Sequence, residues 1–169
     1  MRDKYWSMYE EIVDSYYYYW HYRARAVRLS NLINCISCIA SVTSISSWLI
    51  WNSVPWLWAI ILAAAQMINA IRHLFPFSRQ ITSTGMLIPE VKLLLNEVDH
   101  EWDIIDDLPE SEINDRVLRK RNEFALLENK YIGDAYFPRR SRCEKKAIND
   151  RRAYFFQHHG ACGIKKLEV

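Results

Sequence analysis

The sequence predicts an all-α membrane protein, a two-helix transmembrane hairpin carrying a cytoplasmic helical bundle, and three observations predict it. From Leu29 to Ile71 there is no Asp, Glu, Lys or Arg. That interval is broken only at Asn52 to Pro55, which leaves two stretches each long enough for the roughly 20 helical residues of a bilayer crossing. Four of the seven tryptophans, Trp48, Trp51, Trp56 and Trp58, flank the break. Their rings are apolar and their indole N–H groups need polar partners, so they fit an interfacial belt at a hairpin tip. Tryptophans can also plug the end of a soluble core. The long charge-free flanks decide between the two.

The 169 residues match about one domain. A mean hydropathy of -0.20 averages the apolar interval with strongly charged flanks. The opening "MRDKYWSMYEE" lacks a basic head followed by an apolar core, so no cleaved leader is expected. Arg23, Arg25 and Arg28 precede the first span, and Arg72, His73 and Arg79 follow the second. By the positive-inside rule both termini are cytoplasmic, in a multi-pass protein of the cell membrane. Cys35 and Cys38 fall in the first span and Cys143 and Cys162 face a reducing cytosol, so no disulfide framework is expected.

The expected segments are 1–28 as a cytoplasmic amphipathic helix, 29–75 as the hairpin (spans 29–51 and 56–75), 76–137 as cytoplasmic helices and 138–169 as a basic tail. In the first, Tyr5, Met8, Ile12, Tyr16 and Tyr19 recur in steps of three and four, the spacing of one helix face. Beyond the hairpin, Pro76 and Gly85 mark a break and Pro89 suits a first helical turn. Val91, Leu95, Val98, Trp102 and Ile105 then form a heptad seam. Pro109, Glu110 and Glu112 favour another helix start, whose stripe is Ile113, Val117, Phe124, Leu127 and Tyr131, ending near Gly133. These seams suit one small bundle, or an oligomer of bundles.

Two polar stripes run along the expected spans: Asn34, Ser37, Ser41 and Ser44 in the first, Gln66 and Asn69 in the second. Polar groups facing lipid are costly, so the stripes should face protein or water. Both helix-to-helix glue and the lining of a water-filled pore satisfy that condition. Between Glu97 and Asp115 lie nine acidic residues and no Lys or Arg, which reads as a solvated acidic face.

The tail holds Arg139, Arg140, Arg142, Lys145, Lys146, Arg151 and Arg152, with Tyr154, Phe155 and Phe156 directly after. The overall charge is only +2, so this local excess stands out. Guanidinium groups grip phosphates and aromatics stack on bases, a mixture that suits a nucleotide or single-stranded oligonucleotide. Anionic lipid headgroups and internal pairing with the acidic segment remain as alternatives. Cys143, His158, His159 and Cys162 lack zinc-site spacing, so no metal or other cofactor is expected. No catalytic motif is present, and an enzyme is not expected.

The succession of an aromatic amphipathic helix, "YYYYWHYRARAVRLSNLINCISCIASVTSISSWLIW", a tight turn and "PWLWAIILAAAQMINAIRHLFPF" resembles the SLATT family over roughly residues 5 to 135. These are two-transmembrane effectors found beside bacterial nucleotide-signal synthases, and the chain is most similar to the stand-alone effectors of Hailong-type defence. The resemblance implies an oligomeric pore or ion channel of anti-phage defence, gated by a nucleotide or oligonucleotide signal on the cytoplasmic side, whose opening depolarises the membrane and arrests growth. It implies as partners a nucleotidyltransferase, the lipid bilayer and further copies of the chain. A lone hairpin encloses no water, so the expected assembly is a homo-oligomer, a tetramer by our reading. The rival expectation is a membrane-anchored adaptor whose heptad seam docks a partner protein.

Overall fold

The computed structural model describes residues 2–50, positions 56, 60, 63, 64, 66 and 67, then 77–133 and 140–165. Side chains are described over 2–38, at those isolated positions, and over 79–133 and 140–160. The elements are α1 (Arg2–Ile50), α2 (Phe77–Asp103), a 3-10 turn (Ile105–Asp107), α3 (Glu110–Tyr131) and α4 (Ser141–Lys165). Two compact units divide the chain, one formed by Met1–Ala24 with Thr82–Val169, the other by Arg25–Ile81.

The first unit is built on the predicted stripes. Tyr5, Met8, Tyr9, Ile12 and Val13 of α1 bury with Leu87, Val91, Leu95, Val98 and Trp102 of α2. Ile113, Val117 and Phe124 of α3 join the same cluster, as do Tyr154 and Phe155 of α4. Tyr16, Tyr19, Leu127 and Tyr131 are only partly buried at its edge. Each large apolar side chain taken fully out of water contributes about 1.5–3 kcal/mol.

Cross-helix contacts fix the directions. Glu90 meets Tyr131, Glu97 meets Lys120 and Glu101 meets Arg116, so α3 returns antiparallel to α2. Asp150 meets His21, Arg151 meets Asp14 and Phe155 meets Trp6, so α4 runs antiparallel to the start of α1.

The start of α3 is as its sequence predicts, with Glu110 and Glu112 in the first turn where the exposed N–H groups favour negative charge. Gly133 follows its end with φ 49°, a left-handed conformation that favours glycine. The start of α2 is not. The helix begins at Phe77 and continues through Gly85 and Pro89, where a break and a restart are expected. Proline within a helix removes the hydrogen bond to the carbonyl four residues back and crowds that carbonyl. Here that residue is Gly85, and the helix continues because Leu87, Val91 and Leu95 bury on one face while Pro89 itself is exposed on another.

The transmembrane hairpin, and with it the multi-pass placement in the bacterial inner membrane, is corrected. Among the described residues no helix is long and apolar enough to cross a membrane. Absence of charge is not apolarity. In α1 the described part of the first expected span interleaves Leu29, Leu32, Ile33 and Ile36 with Ser30, Asn31, Asn34 and Ser37. Much of 29–51 and 56–75 lies outside the described residues.

In the unit Arg25–Ile81, Ala26 and Gln80 are buried, while Leu32, Trp56, Ile60 and Met67 are exposed. Of the expected pore-lining residues, Asn34 and Ser37 are half-buried on α1 and Gln66 is exposed. Ser41 and Ser44 belong to α1 with their side chains outside the described residues, and Asn69 lies outside them altogether.

Candidate anion-binding face and its acidic neighbour

The segment expected as a tail is a helix, α4, and the helix sorts its residues by face. Cys143, Ala147, Tyr154 and Phe155 are buried. Arg142, Lys145, Asn149, Arg152 and Phe156 are exposed and recur in steps of three, four, three and four. That spacing makes one straight stripe, about 21 Å long at 1.5 Å per residue. Lys146 is exposed beside it. Among the described residues, Arg142, Lys145, Lys146 and Arg152 enter none of the ion pairs, all of which are made by other cations.

The expected ligand residues therefore divide. Phe156 is 57% exposed and available for stacking, whereas Phe155 is 0% and Tyr154 6% exposed. Phe155 lies 4.6 Å from the ring of Trp6 and 5.0 Å from that of Tyr9, centroid to centroid. Arg151 is turned the other way, with Nη1 2.9 Å from Glu10 Oε1 and 3.8 Å from Asp14 Oδ1. Arg140 is half-buried, and Arg139 lies outside the described residues.

What holds α4 in place is a polar cluster of charged and aromatic groups that the sequence does not announce. The Tyr9 hydroxyl donates to Asp99 Oδ1 at 2.5 Å and lies 3.3 Å from both the Tyr154 hydroxyl and His159 Nε2. His158 and His159 stand 3.7 and 3.6 Å from the Asp99 carboxylate. Burial, reinforced by the hydrogen bond to Asp99, pushes the Tyr9 hydroxyl far above its ordinary range. Burial likewise pushes Tyr154 up to about 12. His159 is lowered, because burial outweighs the nearby charge of Asp99. Further along, His21 Nε2 lies 2.6 Å from Asp150 Oδ2.

A second cluster ties α2 to α3. Lys120 is buried with Nζ 2.5 Å from Glu97, 3.2 Å from Glu123 and 3.8 Å from Glu101. Burial works against its charge, yet the hydrogen bonds that it donates to Glu97 and Glu123 more than offset it and the ammonium stays favoured. Glu101 also accepts from the Tyr5 hydroxyl and pairs with Arg119. The acidic segment thus acts in part as the internal counter-charge of α3, while Asp99 within it faces His158 and His159 of α4. One signal was readable: Lys120 falls on the apolar stripe of Ile113, Val117 and Phe124, where a lysine needs partners.

Beside α4, α1 and α3 form a cleft of about 570 Å³ that carries the carboxylates Glu10, Glu11, Asp14, Glu128 and Glu144 around Arg151. The Tyr19 hydroxyl donates to Glu128 Oε1 at 2.6 Å on its wall. Among the described residues no three His, Cys, Asp or Glu side chains gather as metal ligands. The heptad seam on which the adaptor expectation rests is itself buried in this chain's core. Comparison with protein-family models, with curated proteins and with solved structures finds no match to this chain.

Proposed function

We propose that this chain is a non-catalytic binding module whose ligand, a nucleotide or single-stranded oligonucleotide, lies along the outward face of α4. One observation carries the reading: Arg142, Lys145 and Arg152 stand exposed in register with Phe156, unpaired among the described residues, on a helix whose other face is locked into the core. Flexible tails lose entropy on binding, whereas a stripe fixed on a packed helix has already given it up. Long cations supply phosphate contacts and the ring supplies a stacking surface. In the wider reading, which rests on the SLATT resemblance, the module belongs to an oligomeric anti-phage effector and a nucleotidyltransferase supplies its signal. The pore is not carried forward, since it needs the bilayer-crossing hairpin.

Fluorescence anisotropy of a labelled short oligodeoxyadenylate tests this reading. Three phosphate contacts give a salt slope of about -2, at roughly 0.7 per neutralised phosphate. Phe156→Ala should weaken binding by about 1–3 kcal/mol, the value of one stacked base. If Lys145→Glu with Arg152→Glu binds as tightly as the parent, the ligand lies elsewhere.

A further inference from the structure

Among the described residues, opposite charges gather on two surfaces, the outward stripe of α4 and the acidic cleft beside it. Arg151 and Glu144 line the acidic cleft from the inner side of α4. At 3.6 residues per turn, Arg142, Lys145, Asn149 and Arg152 lie about 100–180° around the helix from Arg151. The stripe therefore points away from the chain's own cleft, and its cations find no carboxylate among the described residues. The cleft is short of positive charge in turn. Among the described residues, five carboxylates and one guanidinium line it, Arg151 reaching only Glu10 and Asp14, with Arg121 reaching Glu11 at 3.6 Å. One surface is a convex ridge of long cations, the other a concave acidic groove.

We propose that α4 of one chain docks into the acidic cleft of a second copy, so that self-association and ligand binding compete for the same face. The competition rests on the reading of α4 given above, and the association does not. Because the two surfaces differ, the contact is heterologous, and copies add head to tail until a ring closes or a chain runs on. Exposed ion pairs contribute little singly, so several must form together and salt must weaken them. An oligonucleotide on the stripe then releases the neighbouring copy.

Sedimentation velocity on the full chain tests the proposal, with far-UV circular dichroism confirming that each variant folds. The parent should associate at about 0.01 M salt and dissociate towards about 1 M, as the Debye length contracts from ~30 to ~3 Å. Lys145→Glu with Arg152→Glu should lose both association and oligodeoxyadenylate binding. Glu11→Lys with Glu144→Lys should lose association alone. All four changes in one chain should restore association while oligonucleotide binding stays lost, an outcome that ligand binding by itself does not produce. A parent that stays monomeric at low salt, or a four-fold variant that stays monomeric, overturns the proposal. A parent that associates yet ignores the oligonucleotide leaves the association standing and sinks the ligand reading instead.

Discussion

Replacing Lys120 by methionine isolates the charge of the α2–α3 clasp, because methionine keeps an unbranched side chain and removes only the ammonium. In the parent, that ammonium is 5% exposed and has three carboxylates within 4 Å. The cost depends on what each carboxylate has left. Glu97 is 62% and Glu123 40% exposed, so water can replace the lost donor. Glu101 is only 13% exposed, yet it retains Tyr5 and Arg119 as partners. None is stranded, so the cost falls short of the roughly 3–5 kcal/mol that follows when a buried pair loses one member. About 1.5–2 kcal/mol remains, the value of a hydrogen bond to a charged group. At this chain length that is a fall in Tm of about 3–8 °C. Lys120→Ala should cost more, since it also empties the space of the aliphatic stem. Urea unfolding followed by circular dichroism measures both. The folded-state pKa of Lys120 is raised, so its contribution is fully present below the unfolded value near 10.5 and is lost only as pH rises through the folded value. A Lys120→Met protein as stable as the parent at neutral pH would refute the assignment of Lys120 as a clasp.

Three further outcomes follow from the α4 interface. Tyr9→Phe removes the donor to Asp99 and the contact with His159 and should lower stability by about 1–3 kcal/mol in thermal melts. His159 has a lowered pKa in the fold, so the unfolded chain takes up its proton first and stability falls as pH drops below about 6.5; His159→Gln should flatten the Tm profile between about pH 7 and 5, and an unchanged profile would show that other groups set it. Phe155→Ala should cost about 3–5 kcal/mol in urea midpoint, whereas Phe156→Ala, one residue on, should leave the midpoint within about 0.5 kcal/mol of the parent.

Periodicity made most of this fold legible, because an apolar stripe at helical spacing has one economical place to go. Tyr5, Met8 and Ile12, and Val91, Leu95, Val98 and Trp102, were readable in this way and are buried together. The same principle explains the failures. In α4 the inner face reads Cys143, Ala147, Arg151, Tyr154 and His158, too polar to register as a stripe, and the run of arginines masks it. Core packing of Tyr154 and Phe155 together with pairing to Glu10, Asp14 and Asp99, which lie far away in the sequence, makes that face internal. Adjacency in the sequence therefore suggests one ligand site where helix geometry sends Arg151 and Arg152 to different surroundings. The hairpin misled for a related reason: uncharged Ser and Asn do not interrupt a search for charge, but they do interrupt an apolar helix. Pro89 departs from expectation because its cost is local, one lost hydrogen bond and one crowded carbonyl, while the burial of Leu87, Val91 and Leu95 on the same helix favours continuation.

The two-faced character of α4 separates what selection can do to this chain. Core-facing changes at Tyr154, Phe155 or Arg151 alter abundance before they alter recognition, since an unfolded protein recognises nothing. Outward changes at Arg142, Lys145, Asn149, Arg152 or Phe156 meet no packing and leave the folded population as it was. If α4 binds anions as proposed, a lineage can exchange one such ligand for another through these few positions without ever passing through an unstable ancestor.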